Sequence, residues 1–278
     1  MFDYNNIFQK EGIIFEKLIR QSDRFSLVKG KKDGKNVVLK ILINPARGYA
    51  KRALIREART LKVLNNFPNV QAPKVLGFNF KAKYPYFFEE FIEGNVLEKK
   101  SGFFFKKLSK DATFQIAEIL NNLIEIPLIK FKTIKNKTSF SSSYFKESFI
   151  FHQETINSNL ASFQKNKLKK MIQIKPKKNF PVHGEVYPNN FIEDKKREIH
   201  LLDWENFGFG SLARDSASVY LRLKDKNSKQ IFLNRINFKN QVDFEQLFSL
   251  EVILQSIGSL QYLKNERVYF LNQIKNFL

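Results

Sequence analysis

The sequence contains no cysteine among its 278 residues. This absence excludes disulfide bonds, thiolate metal sites and a cysteine nucleophile, and it suits a reducing compartment. The N-terminal stretch MFDYNNIFQKEGIIFEK carries acids among its apolar residues and lacks a small-residue cleavage site, so it has no signal-peptide pattern. No apolar run reaches about 18 residues, so we expect no membrane span. Together these features predict a cytoplasmic protein.

Acidic residues are also scarce, with 27 Asp and Glu against 48 Lys and Arg, which gives a formal charge of +21. Such a charge can indicate a polyanion partner, such as nucleic acid, anionic lipid or a phosphorylated substrate. Arginine, the better phosphate ligand, is outnumbered more than threefold by lysine, and the basic residues are scattered. This pattern favours compositional drift over a nucleic-acid interface, although it leaves open whether the charge is used. Histidine is rare as well, which argues against a zinc site.

The apolar content supports a folded chain, since 43% of the residues are hydrophobic, including 30 Phe. Residues 11–43 predict strands that include a hairpin turning at an Asp-Gly pair. Residues 48–65 have apolar residues at helical spacing, and two further strands are predicted at 74–80 and 85–92. The N-terminal third is therefore a small mixed region of strands and one helix.

From about residue 110 onward the pattern becomes helical. Ser109 is a plausible N-cap for the first of these helices, and residues 145–173 predict one or two more. Short strands are expected within 180–204, and residues 215–278 again show helical periodicity.

We therefore predict an α+β fold of two lobes. Residues 1–92 form the smaller N-terminal lobe, with an antiparallel sheet plus a helix, and residues 93–278 form a larger, mainly helical lobe.

Five polar residues stand out because their order and types suit phosphoryl transfer from a nucleotide: Lys40, Glu57, Glu185, Asn190 and Asp203. A strand lysine can hold phosphates, and a helix glutamate can fix its direction. Amide and carboxylate oxygens suit Mg²⁺, and a carboxylate five residues before the asparagine can orient an acceptor hydroxyl. Taken singly, Lys40 could be solvated, Glu57 an exposed helix residue and Asp203 a turn former. Asn189 competes with Asn190, although the spacing favours Asn190.

Two motifs carry a resemblance to a known family. They are HGEVYPNN at 183–190 and LLDWE at 201–205, followed by GFGSLARDSA with Asp215. In this order they resemble the aminoglycoside phosphotransferase and choline kinase-like family, relatives of the protein kinases. The resemblance covers roughly Ile19 to Ala217, and it implies a protein-kinase-like fold that uses ATP and Mg²⁺.

Carried over position by position, the resemblance implies specific roles. Lys40 would contact the α- and β-phosphates, Glu57 would pair with it, and Asn190 and Asp203 would hold Mg²⁺. Glu185 takes the position of the catalytic carboxylate. In the same way, His183 would brace the loop and Asp215 would be structural.

The segment YFFEEFIEGNVL resembles the hinge of this family. The backbone groups of Glu90, Phe91 and Ile92 would meet the adenine there.

Glu185 departs from the family pattern, which has aspartate at this position. The extra methylene moves the carboxylate by roughly 1–1.5 Å.

One hypothesis is an ATP-dependent phosphotransferase acting on a hydroxyl of a small molecule, such as a sugar, amino sugar or amino alcohol. The alternative is a nucleotide-binding pseudokinase with a regulatory or scaffold role. A third is a kinase-like fold used for polyanion binding. The basic excess in 215–278 argues mildly against a polycationic acceptor.

Overall fold

The computed structural model describes residues 5–99, 102–135, 138–140, 142–241 and 243–278. These residues form two compact units. The first unit comprises the described residues within Met1–Asn95, Ile129–Asn136 and Ile192–Asn206. The second comprises those within Val96–Leu128, Lys137–Phe191 and Phe207–Leu278. The division of the chain at residues 92 and 93 stays a prediction.

The first unit is built on a five-stranded sheet with the order β1-β2-β3-β5-β4, in which every neighbouring pair is antiparallel. Its strands are β1 Ile13–Gln21, β2 Phe25–Lys32, β3 Lys35–Leu42, β4 Val75–Asn79 and β5 Tyr86–Glu90. A short helix precedes them, α1 Asn5–Glu11, and a longer one follows β3, α2 Gly48–Leu64. The α+β class with an antiparallel N-terminal sheet is confirmed, whereas α1 was not predicted.

The hairpin between β2 and β3 turns at the predicted Asp-Gly pair. Asp33 and Gly34 have φ angles of 51° and 76°, and the flanking Lys32 and Lys35 face each other across the turn. A two-residue turn with both φ angles positive matches the right-handed twist of the strands. The turn thereby sets the register that places Lys40 opposite Leu27.

Helix α2 buries one face, as its sequence predicts. That face consists mainly of alanine and leucine, with Thr60 and one charged residue, Glu57, which is 2% exposed. The helix packs against the turn at Trp204–Asn206. A glutamate inside an apolar face needs a cation nearby, because an unpaired buried charge is very costly.

Two small sheets follow in the chain. One has the order β10-β9-β6 and the other β7-β11-β8. Their strands are β6 Gly94–Val96, β7 Thr138–Phe140, β8 Phe180–Val182, β9 Phe191–Asp194, β10 Ile199–Leu201 and β11 Gly208–Gly210. Within this set, the strands outside residues 180–204 were not predicted.

The second unit is mainly helical. Its helices are α3 Lys110–Glu125, α4 Ser142–Phe151, α5 Gln153–Asn159, α6 Ser162–Met171, α7 Arg214–Arg222, α8 Lys226–Arg235, α9 Phe244–Tyr262 and α10 Arg267–Phe277. Helix α9 lies in the core and packs against α7 and α10, while α3 packs against α8. No helix in the described ranges combines the length and the apolar character that crossing a membrane requires.

Ser109 caps α3 as its sequence position predicts, because its Oγ accepts a hydrogen bond from the Ala112 N–H at 3.0 Å. Replacing Ser109 by Ala leaves that N–H without its partner, and we expect the free energy of unfolding to fall by about 1 kcal/mol. Urea unfolding followed by circular dichroism measures the change. The control is Ser162→Ala at the exposed start of α6, which should change stability by less than about 0.5 kcal/mol. Equal losses in both variants would contradict the capping role.

Candidate active site

The centre of the first unit's site is the ammonium group of Lys40, which is 7% exposed. Its Nζ lies 2.6 Å from Glu57 Oε2, 3.0 Å from Asp203 Oδ1 and 3.5 Å from Glu205 Oε2. The structure therefore brings together three of the residues singled out in the sequence and adds a fourth, Glu205. The alternative interpretations of Lys40 as solvated and Glu57 as an exposed helix residue are wrong.

Lys40 is buried because of its place in the sheet. It lies on β3, the middle strand, between Leu27 on β2 and Phe87 on β5. Its Nζ also lies 5.0 Å from the centroid of the Phe25 ring. A lysine on an edge strand could extend into water, whereas this one is enclosed by neighbouring strands and must find its partners inside the unit.

Asp203 is presented by an unusual backbone conformation. Its φ is 60°, in the left-handed region that residues other than glycine seldom adopt. The next residue, Trp204, is fully buried, and its Nε1 donates to the Leu201 carbonyl at 2.9 Å. The Leu201 N–H donates to the Gln71 carbonyl at 3.0 Å. These contacts hold the turn at the end of β10 and direct the Asp203 carboxylate toward Lys40.

Sequence reasoning assigned no role to Glu205, although it is the last residue of the motif LLDWE. Its side chain is buried and lies 3.4 Å from Arg24 Nη2, while its carbonyl accepts a hydrogen bond from Arg56 Nε at 2.5 Å. The one sequence signal for Glu205 was its place as the acidic residue at the end of this family motif. Its partners Arg24 and Arg56 lie in separate parts of the chain, and their positions in the sequence do not predict contact with Glu205.

Three carboxylates, Glu57, Asp203 and Glu205, surround Lys40, and Arg24 adds a second positive charge beside Glu205. Burial alone would lower the pKa of Lys40, but the carboxylates of Asp203, Glu57 and Glu205 outweigh it and raise that pKa well above its usual value. Burial raises the pKa of Glu57; Lys40 opposes the rise, while Asp203 and Glu205 add to it. The carboxylate oxygens of Glu57, Asp203 and Glu205 lie within 4.8 Å of one another. Oxygen ligands with excess negative charge fit a hard divalent cation such as Mg²⁺.

A second missed acid, Glu89, lies on β5 directly opposite Val38. Burial raises its pKa well above the usual value, and Glu57 and Asp203 raise it further against the opposing effect of Lys40. A pKa raised in this way favours the neutral, protonated form of Glu89. Its signal in the sequence was weak, because it stands beside Glu90 at the end of a hydrophobic strand.

The predicted hinge begins at the end of β5. The Glu90 N–H donates to the Lys74 carbonyl at 2.9 Å, and the Phe91 N–H donates to the Asn36 carbonyl at 3.2 Å. The next residue, Ile92, is half-buried, and within the described residues its N–H donates no hydrogen bond. In this stretch Ile92 thus offers a backbone donor, as contact with a base requires.

In the second unit, the loop after β8 is braced through its main chain. The His183 and Gly184 N–H groups donate to the two carboxylate oxygens of Asp215, at 2.7 and 3.0 Å. Asn190 Nδ2 donates to the Glu185 carbonyl at 2.9 Å. Burial raises the pKa of Asp215 to about 6, and the hydrogen bonds from the two N–H groups oppose the rise.

The burial of two neighbouring asparagines helps to decide which of them is the predicted metal ligand. Asn190 is 6% exposed and bonded to the loop, whereas Asn189 is exposed. The placement of Asn190 suits the predicted role better. Glu185 is half-buried, so its side chain remains partly accessible.

A cavity of about 430 Å³ adjoins this loop within the second unit. Gly184 and Tyr187 line it from the loop side, and residues of α4, α7 and α9 form the other walls. Its position beside Glu185 makes it the candidate site for an acceptor.

The chain matches a family model described as the phosphotransferase enzyme family over residues 19–236. No curated protein sequence matches it. The fold is similar to macrolide 2'-phosphotransferase MphH from Brachybacterium faecium, with a TM-score of 0.67, 13% identity and coverage of 97% of this chain and 96% of that one.

It is also similar to choline kinase LicA from Streptococcus pneumoniae, with a TM-score of 0.60, 19% identity and coverage of 98% and 96%. A third similar structure is the GDP and kanamycin complex of APH(2")-IIia, with a TM-score of 0.68, 13% identity and coverage of 99% and 96%. The resemblance and the fold predicted from the sequence are confirmed.

Replacing Lys40 by Met removes the cation that Glu57, Asp203 and Glu205 share. We expect a loss of roughly 3 kcal/mol in the free energy of unfolding near neutral pH. Lys40 lowers the pKa of Glu57, so in the variant the folded-state pKa of Glu57 rises further above its ordinary value. A raised folded-state pKa contributes stability at low pH that is lost as pH rises through it. The loss should therefore be larger at about pH 8 than at about pH 5.

Urea unfolding at the two pH values measures this difference. The matched control is Lys35→Met, on the same strand but exposed, which should change stability little at either pH. A loss in Lys40→Met that does not depend on pH would contradict the shared-cation interpretation.

Proposed function

Because the chain belongs to the phosphotransferase enzyme family, we propose that it transfers the γ-phosphoryl group of ATP to a hydroxyl group of a small molecule. The observation that carries this proposal is the buried Lys40, held between Glu57 and Asp203. A lysine held in place by two carboxylates is suited to positioning the phosphates of a nucleotide. A donor nucleotide also requires a compartment that supplies it, and we propose the cytoplasm.

In the proposed reaction, the acceptor's hydroxyl oxygen forms a bond to the γ-phosphorus. The bond between that phosphorus and the oxygen bridging to the β-phosphate breaks, and ADP leaves with the electron pair. The hydroxyl proton passes to the carboxylate of Glu185. This chemistry depends mainly on positioning and on electrostatic stabilisation of the transferred group.

The residues of the first unit would bind the nucleotide. Lys40 would contact the α- and β-phosphates, and Glu57 would keep its ammonium in place. The backbone at Glu90, Phe91 and Ile92 would meet the adenine. The Ile92 N–H supports this assignment, because it is the donor of that stretch without a hydrogen bond in the described residues.

Asp203 and Asn190 would hold Mg²⁺, and Glu205 is a further candidate ligand. Bound there, the ion would neutralise charge on the phosphates. The fit is supported by the donor set of the first unit, which places Asp203 and Glu205 around a single lysine. The ion pair of Lys40 with Asp203, at 3.0 Å, keeps that carboxylate directed toward the site.

In the pseudokinase alternative, the chain binds the nucleotide with the same residues but does not transfer its phosphoryl group. It is motivated by Glu185, whose longer side chain could misplace the carboxylate. Two facts support the active enzyme instead. The bracing bonds of the loop involve main-chain atoms of His183, Gly184 and Glu185, which do not depend on the length of the Glu185 side chain. A general base also contributes only about 10²–10⁴-fold to such rates.

The test of the proposed function is ADP or GDP release from magnesium ATP or GTP, with sugars, amino sugars and amino alcohols as acceptors. We expect release that increases with one acceptor class and falls by at least about 10³-fold in Asp203→Asn, because the amide cannot supply a carboxylate to the cation. Asp194→Asn is the control, an acid on β9 that lies beside His200. Undiminished release in Asp203→Asn would refute the assignment.

Two changes at Glu185 separate the enzyme from the pseudokinase. Glu185→Gln removes the proton acceptor at nearly the same volume, and we expect kcat to fall by about 10²–10⁴-fold with nucleotide affinity unchanged. Glu185→Asp restores the usual family residue, and its rate shows whether the site is adapted to glutamate. Release by Glu185→Asp but none by the unmodified chain would establish the pseudokinase.

A further inference from the structure

The cavity beside the loop has a basic lining. Arg214 and Arg222 line it, and within the described part of the chain no carboxylate does. Aromatic rings form much of the remaining wall, including Phe103, Tyr144 and Tyr187. The cavity is therefore both basic and aromatic.

Arg214 is already neutralised. Its Nη1 lies 3.0 Å from Glu251 Oε2 and 2.5 Å from the Tyr144 hydroxyl. Glu251 is completely buried behind the cavity wall. The pair accounts for the charge of Arg214, so the excess charge of the cavity belongs to Arg222.

Arg222 is a buried guanidinium, 7% exposed, at the last residue of α7. It is sandwiched between the rings of Tyr187, at 4.2 Å, and Phe103, at 4.7 Å. Its described hydrogen bonds all run from Nη1 to the Ser218 carbonyl and hydroxyl, at 2.8 Å each. No carboxylate of the described residues forms an ion pair with it.

The electrostatic surroundings of Arg222 connect it to the reacting end of the cavity. Burial lowers its pKa to about 10, so it remains protonated at neutral pH. Tyr187 and Glu185 oppose that decrease, whereas Arg214 adds to it. Glu185 stands between Gly184 and Tyr187, which line the same cavity as Arg222, so one compact molecule could reach both.

We infer that the acceptor carries a carboxylate or phosphate group that pairs with the Arg222 guanidinium while its reacting hydroxyl lies at Glu185. This inference rests on the proposed function and narrows its substrate class to hydroxylated anions of sugar size. A buried guanidinium without an acid partner is costly, and a charge-assisted pair with a bound anion offsets that cost. The aromatic rings suit the faces of a sugar ring.

The same arrangement disfavours cationic acceptors. A polycationic antibiotic or an amino sugar would meet the guanidinium of Arg222, which has no acid partner among the described lining residues. Like charges brought together in a binding site repel each other. The phosphoryl transfer itself is unchanged, because the anionic group binds and is not consumed.

The experiment compares acceptors that share one ring and differ in charge: glucuronate, glucose 6-phosphate, glucose and glucosamine. ADP release from magnesium ATP is measured with each, together with the acceptor-independent release. We expect one or both anions to stimulate release above glucose, and glucosamine to give the least. Comparing glucuronate with glucose 6-phosphate separates a carboxylate from a phosphate.

The variants test whether Arg222 recognises the negative charge of the acceptor. Arg222→Gln should raise the KM for the better anion by about 30-fold, with a much smaller effect on glucose. Arg222→Lys, which keeps the charge, should recover part of the loss. The control Arg235→Gln removes an arginine of α8 that pairs with Glu118, and it should behave like the unmodified chain. Circular dichroism confirms that each variant is folded.

A preference for glucosamine or glucose would overturn the inference, as would equal losses for glucose and the anion in Arg222→Gln. The inference would also be overturned if neither anion stimulates ADP release, provided that the unmodified chain shows acceptor-independent release and Asp203→Asn does not. That result would leave the proposed function standing. No release in any reaction would instead refute the proposed function, and this inference with it.

Discussion

The first unit is organised around the need to neutralise a lysine that cannot reach water. Lys40 lies on the middle strand of a five-stranded sheet, so its charge must be balanced by groups brought to it. That requirement explains why α2 turns Glu57 into its apolar face and why Asp203 adopts a left-handed conformation, which costs of order 1–3 kcal/mol. The carboxylates exceed what one lysine needs, and that excess is the chemical basis of the proposed nucleotide site.

Much of this arrangement could be predicted from the sequence. Lys40 interrupts an apolar strand, Glu57 interrupts an apolar helix face, and Asp203 follows a short apolar strand, so each has a local signal. Glu205 and Arg222 have no comparable signal, because their burial depends on side chains from distant segments. The strands β6, β7 and β11 were missed for a simpler reason. Three residues are too few to show alternation.

The backbone path of the loop after β8 does not depend on the length of the side chain at position 185. Asp215 holds the main chain of His183 and Gly184, and Asn190 holds the carbonyl of Glu185. These bonds fix the path of the backbone and leave the Glu185 side chain half-buried. The loop's geometry is thus separable from its chemistry, so the same backbone could carry a carboxylate on a shorter or longer stem. The neighbouring cavity, with Arg222 between two rings, would then determine which molecules meet that carboxylate.

The tight turn at Asp33 and Gly34 has a consequence for how the protein is made. A two-residue hairpin closes in about 1–10 μs, so β2 and β3 pair while Lys40 is still hydrated. Glu57 follows 17 residues later, but Asp203 is 163 residues away in the chain. At a synthesis rate of about 5–20 residues per second, Asp203 arrives on the order of ten seconds after Lys40. During that interval Glu57 is the one acid of this set that has been synthesised. The first unit can complete its charge balance only after the first two of the three segments of the second unit have been made.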